Sequence, residues 1–192
     1  MAALGGEFGS FWKLLNTELH SLSSESKKRN TAIRNASDKS IEILKVVHSY
    51  EELSRHPDFI IPFVMSCGSK NAKLTTISMQ CFQKLATVPC IPIDKLSDVL
   101  DAFIEANQLA MDIKLKVLQV LPIFFQVYGK YIYGELCVKL LKCCSDLLQL
   151  PNKSSMVVGT ASATLQQLID EIFERLSSEE KDRDNKINED NE

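Results

Sequence analysis

The residues able to carry chemistry are few: three histidines, six cysteines and a short run of tyrosines. A metal site needs histidines or thiolates at hook or helix spacing, such as C-x-x-C or H-E-x-x-H. His20, His48 and His56 are scattered over the first third of the chain without such a spacing. None of Cys67, Cys81, Cys90, Cys137, Cys143 and Cys144 forms a C-x-x-C pair. The adjacent Cys143 and Cys144 invite a redox reading. On a helix, however, neighbouring side chains point about 100° apart, and a bridge between them is strained. Leu140, Leu141, Leu147 and Leu148 surround the pair, so both thiols read as small hydrophobes in a core. The sequence also lacks a G-x-S-x-G elbow, a Gly-rich phosphate loop and a calcium loop. No catalytic residue, metal ligand or cofactor is therefore expected, and the chain reads as a non-enzymatic binding domain.

Two clusters are left for binding. Lys27, Lys28 and Arg29 form the densest basic run, where two helices join. They are either a solvated turn or a contact for anionic lipid or an acidic partner. Tyr128, Tyr131 and Tyr133 flank Gly129 and Gly134. Loop tyrosines either anchor an interface or close the end of a helix pair.

The elements that position these residues are helices. Only 7 glycines and 6 prolines interrupt 192 residues, so tight turns are few and an all-β fold is disfavoured. Apolar residues recur every third or fourth position almost throughout. The pattern predicts about eight helices in an all-α fold. The first spans roughly 10–24, the second 27–54 and the third 58–67, which Gly68 caps. A fourth begins near Ala72 and a fifth covers 93–106. The sixth starts near Asp112 and runs through Pro122, which should kink it without ending it. The seventh covers 131–149 and the eighth begins near Asn152. The long helices start about forty residues apart, each after a shorter one, and that is the period of HEAT and armadillo repeats. Such pairs bury their apolar faces only by stacking, into a curved superhelix with a large binding surface.

Residues 1–10 read as a cloning scar and are set aside. Residues 11–176 form the helical domain. The segment 177–192 holds seven acids against three bases and almost no apolar residue, so it is expected to be disordered. The full chain has a formal net charge of -3. Removing the tail leaves a nearly neutral body without the field that non-specific nucleic-acid binding needs. No apolar run reaches the ~18–20 residues of a membrane span. With no signal peptide in view, free cysteines in apolar patterns fit a reducing cytoplasm.

Three segments resemble a known family. Leu22-Ser23-Ser24-Glu25-Ser26-Lys27-Lys28 opens with L-x-x-E-x-K-K. Pro62-Phe63-Val64-Met65-Ser66-Cys67-Gly68-Ser69-Lys70 is followed by Lys73 and by Cys81-Phe82-Gln83-Lys84-Leu85. Ala163-Thr164-Leu165-Gln166-Gln167 precedes Phe173-Glu174-Arg175. These are similar to the DCB domain, the N-terminal dimerisation and cyclophilin-binding domain of the large Arf exchange factors, and more to its Mon-two type. Gln166 stands where the family carries arginine, and the middle, from Pro89 to Leu150, matches in helix pattern only. The resemblance implies the N-terminal part of a much longer scaffold, peripheral on trans-Golgi and endosomal membranes and active in endosome-to-Golgi traffic. It also implies partners: a second copy, the neighbouring HUS domain, an Arf-like GTPase and a Dopey-type protein. An adaptor of HEAT type for another pathway, or an anionic-membrane module, are the alternatives.

The fourth helix offers a place for such a partner. Leu74, Ile77, Cys81, Leu85 and Val88 form its inward stripe, and Lys73, Gln80 and Lys84 lie together along one edge. Lysines bordering an apolar stripe are rim residues of an interface or side chains snorkelling from the core edge. Lys84 is the leading candidate for GTPase contact.

Overall fold

The computed structural model describes residues 7–26, 30–149 and 154–189. The three-to-four spacing of apolar side chains produces nine α-helices among these residues: α1 (Glu7–Glu25), α2 (Thr31–Val46), α3 (Tyr50–Ser54), α4 (Ile61–Gly68), α5 (Ala72–Leu85), α6 (Leu96–Ala106), α7 (Met111–Tyr128), α8 (Glu135–Leu148) and α9 (Ser155–Glu189). The described residues contain no strand, and the fold is all-α.

The helices pack in two layers. α2, α4, α6 and α8 follow one another in the first, and α1, α5, α7 and α9 in the second. Each helix also touches a partner across the layers: α1 on α2, α5 on α4, α7 on α6 and α9 on α8. The second-layer helices α5, α7 and α9 begin at Ala72, Met111 and Ser155, close to the period of about forty residues read from the sequence.

An aromatic spine threads the two layers. Phe63 of α4, Phe82 of α5, Phe103 of α6 and Phe124 of α7 meet in succession, with ring centroids 5.9, 5.2 and 5.8 Å apart and steep interplanar angles. Edge-to-face contact places the positive ring edge on the negative face of the next ring. All four rings are fully buried. Polar staples add direction: Asn107 at the end of α6 donates to the Cys143 carbonyl of α8 at 2.7 Å, and Trp12 of α1 donates to the Leu44 carbonyl of α2 at 2.6 Å.

Several boundaries differ from the sequence expectation. The second expected helix is two, because Val47 is extended and Ser49 caps α3. The Ser49 hydroxyl accepts from the Glu52 amide at 3.1 Å, and the Glu52 carboxylate accepts from the His48 amide at 2.6 Å. The first bond is the N-cap half of the S-x-x-E signal at residues 49–52, and the carboxylate reaches the amide one residue before the cap. Gly68 does not cap the third helix but lies in the last turn of α4; the left-handed residue after it is Lys70, with φ 56°. α8 starts at Glu135 rather than near 131, since Gly134 turns the corner with φ 53°, a conformation open to glycine.

The N-terminal boundary also moves. α1 begins at Glu7, inside the ten residues set aside as a scar, and Phe8 packs edge-on against Tyr50 with centroids 5.2 Å apart. The apolar stripe of α1 therefore starts at Phe8. At the other end α9 continues to Glu189, through most of the acidic segment expected to be disordered. Extending an existing helix needs no new nucleus, and Glu and Lys favour it. Pro122 sits inside α7, which runs on to Tyr128 as expected.

Candidate functional site

At the start of the stack, α1, α3 and the end of α5 border an open groove of about 490 Å³. Phe11, Leu14, Tyr50 and Val88 line its apolar wall, with Ser10, Thr87 and Lys84 at the rim. Lys84 occupies the last turn of α5, where the negative end of the helix dipole favours a cation. It is exposed to solvent.

The other candidate residues separate into groups. Gln80 lies one turn before Lys84 on the same exposed face of α5. Lys73 shares that face by helical angle, but eleven residues of helix put it about 16 Å away. There its ammonium pairs with Glu25 of α1 at 2.8 Å. The structure thus brings Gln80 and Lys84 together and leaves Lys73 tying α5 to α1. Lys27, Lys28 and Arg29 lie outside the described residues.

The three tyrosines part company. Tyr128 is buried, and its hydroxyl accepts from the amides of Cys90 and Ile91, both at 3.0 Å, while it donates to the Val88 carbonyl at 2.6 Å. It closes the end of a helix pair by pinning the α5–α6 connection. Tyr131 borders a second groove of about 710 Å³ beside Pro89, Pro92 and Ile93, with the Lys130 ammonium 4.8 Å from its ring centroid. Tyr133 is 76% exposed and is the one of the three free to anchor a partner.

A feature missed in the sequence is the segregation of charge. α5 carries Lys73 and Lys84 and no acid, whereas α6 in the other layer carries Asp98, Asp101 and Glu105 and no base. A near-zero net charge concealed it; the signal was in charge counted helix by helix. Lys139 of α8 shows how the acidic side is used for cohesion. Its ammonium reaches Asp101 at 2.6 Å and the Ser97 hydroxyl at 2.8 Å, locking α8 onto α6.

No group of three or more His, Cys, Asp or Glu with metal-binding geometry occurs among the described residues. Five of the six thiols are buried. Burial raises the Cys67, Cys90 and Cys144 thiols from 9.0 to about 12 and pushes Cys81 and Cys143 up as well. The thiolate is the reactive form, so a thiol reagent at pH 8 should label half-buried Cys137 and reach the other five only after unfolding. Mass mapping of the labelled protein checks this; fast native labelling of Cys143 or Cys144 would contradict it. The same shifts carry a sign for stability. An unfolded thiol ionises near 9.0 while the folded one resists to about 12, so their contribution is intact below pH 9 and is lost as pH rises towards 12.

Two layers of antiparallel helices, packed in successive pairs, form a helical-repeat stack. Residues 7–180 match the DCB family, described as the Mon2/Sec7/BIG1-like dimerisation and cyclophilin-binding domain. The chain belongs to that family, which is a family of Arf-exchange-factor-like scaffolds. It is 69% identical over 179 residues to Protein MON2 of Saccharomyces cerevisiae, a match that covers 93% of this chain and 11% of that protein. It is 26% identical to the MON2 homolog of Schizosaccharomyces pombe over 87% of this chain and 11% of that protein. It is 24% identical to the human MON2 homolog over 86% of this chain and 10% of that protein. The chain therefore spans about a tenth of the length of these curated relatives. No solved structure matches it. Among the described residues no helix is long and apolar enough to cross a membrane.

Proposed function

We propose that this domain is a docking module of a large scaffold in Golgi and endosomal vesicle traffic, and that the groove beside Lys84 receives an Arf-like GTPase. The observation that carries the reading is a lysine without an ion-pair partner among the described residues, at the mouth of an apolar groove on a helix that bears no acid. An apolar anchor enters between Phe11, Leu14, Tyr50 and Val88, and Lys84 meets an acidic group at the rim. A buried apolar anchor carries most of the affinity of such a site, and a charge at the rim selects the partner and speeds its approach. Self-association, contact with the HUS domain and a Dopey-type partner of the longer protein belong to the same reading. Recruitment to trans-Golgi and endosomal membranes then runs through proteins rather than a membrane-spanning helix.

Lys84→Glu should weaken binding to the GTP-loaded GTPase by at least about tenfold, since it turns an attraction into a like-charge clash. Isothermal titration gives the affinity, and an unchanged circular-dichroism melt shows that the fold is intact. An affinity equal to wild type would rule out the groove as the docking site. Lys73→Ala should matter far less, because its ammonium already faces Glu25 and exposed pairs contribute ~0–1 kcal/mol.

A further inference from the structure

Along α9 the inward row begins apolar and ends charged. Val157, Ala161, Thr164 and Leu168 are buried against the stack. The next two places in that row, by its alternating three- and four-residue spacing, belong to Glu171 and Arg175. Past Leu168, Ile172 still packs partly on the core, whereas Phe173 and Leu176 are 65% and 52% exposed. Residues 177–180 are exposed as well.

Arg175 is half-buried, and it does not reach out to a neighbouring carboxylate. Glu171, one turn earlier, accepts instead from the Gln167 amide at 2.8 Å. The guanidinium turns inward over the Phe125 ring of α7, 5.3 Å from its centroid. There Nη1 is sealed from water and meets no hydrogen-bond acceptor among the described residues. Gly129, at the end of α7, makes the room: a Cβ there would collide with Nη1 and come within 3.1 Å of Cζ. Its backbone is ordinary right-handed helix, with φ -51° and ψ -36°, so the glycine serves the close approach rather than the turn.

Two effects oppose each other at this contact. The ring face attracts the cation. Taking a charged donor out of water without an acceptor works against docking, and by more than it does for a neutral group. An apolar side chain at 175 would keep the packing without that penalty. The turn around Arg175 is thus held near balance, while the turns up to Leu168 are anchored by full burial.

We infer that α9 beyond Leu168 is a detachable strap, docked on α7 through Arg175 and released by withdrawing that one side chain from the niche between Gly129 and Phe125. Release uncovers the Phe125 ring and Ile172 beside the already exposed Phe173 and Leu176. A partner that binds the freed segment therefore has little opening free energy to overcome. The strap shares no residue with the Lys84 groove, so the two assignments stand or fall separately.

Hydrogen exchange on the intact domain tests it by comparing residues 157–168 with 169–180. In wild type the second segment should exchange at least about a hundredfold faster than the first. Arg175→Met, which keeps the packing over Phe125 and removes the charge, should slow the second segment by about tenfold or more. Gly129→Ala should speed it by about tenfold or more and leave 157–168 unchanged, although alanine is the better helix former. In an Arg175→Ala background Gly129→Ala should have no further effect, because the side chain it displaces is gone. An Arg175→Met variant that exchanges faster than wild type would overturn the proposal, since the cation would then be the anchor of α9. Equal rates for the two segments in wild type would overturn it too, as would a Gly129→Ala variant without acceleration or one whose effect survives the loss of Arg175.

Discussion

Phe103→Ala is expected to be the most damaging single truncation in this domain, lowering its stability by about 3–5 kcal/mol. Phe103 is fully buried on α6 and sits edge-on to Phe82 of α5 and Phe124 of α7, at 5.2 and 5.8 Å. Removing the ring leaves a cavity at the crossing of both layers. It also deletes two aromatic pairs, each contributing ~0.5–1.5 kcal/mol beyond area burial. Against a typical total of about 5–15 kcal/mol, this is a large share. The position matters as much as the size. In a stack each repeat is held mainly by its neighbours, and α6 lies between the α4–α5 pair and the α8–α9 pair. The urea transition should therefore move to lower denaturant and broaden, as the two halves begin to unfold separately. Phe173→Ala, at the exposed end, should stay within about 0.5 kcal/mol of wild type. A loss below about 1 kcal/mol for Phe103→Ala would mean that the spine is not what couples the repeats.

That spine shows what the sequence displays and what it hides. The helices and the period of about forty were legible because burial of one face imposes a three-to-four spacing on the residues themselves. The phenylalanines at 63, 82, 103 and 124, one per helix, were in view too, but only the packed layers show that they touch. The break at Val47–Ser49 was also in view, as the capping signal Ser49–Glu52, and was overridden by an apolar pattern that runs across it. The surface was harder. The 100° rule placed Lys73, Gln80 and Lys84 on one face of α5, and they share it. It could not show that Glu25, from another helix, meets Lys73. Nor could it show that Phe11 and Tyr50, from α1 and α3, complete a groove beside Lys84. Both depend on which helices become neighbours, and helical periodicity holds no information about that.

Tyr128→Phe should destabilise the domain by about 2–3 kcal/mol, more than a lost hydroxyl at most sites, because one oxygen serves three backbone groups. It accepts from the amides of Cys90 and Ile91 and donates to the Val88 carbonyl. Cys90 and Ile91 are nearly sealed from solvent, so water does not replace the missing partner, and each stranded amide carries its own desolvation penalty. The ring of phenylalanine fills the same space, which confines the loss to the hydrogen bonds and leaves the contact with Phe124 in place. Hydrogen exchange at Cys90 and Ile91 is the direct measurement: both amides should exchange much faster in the variant, while those within α6 and α8 keep their relative protection. Unchanged exchange at 90 and 91 would show that the loop is held by its prolines and apolar packing instead. The effect also reaches the docking groove. Val88, part of the groove wall, belongs to the segment that Tyr128 pins, and Lys84 sits one turn before it. Loosening this connection should weaken partner binding at the Lys84 groove without altering any residue that touches the partner. In this domain the same hydroxyl that ends a helix pair also holds the candidate site in shape.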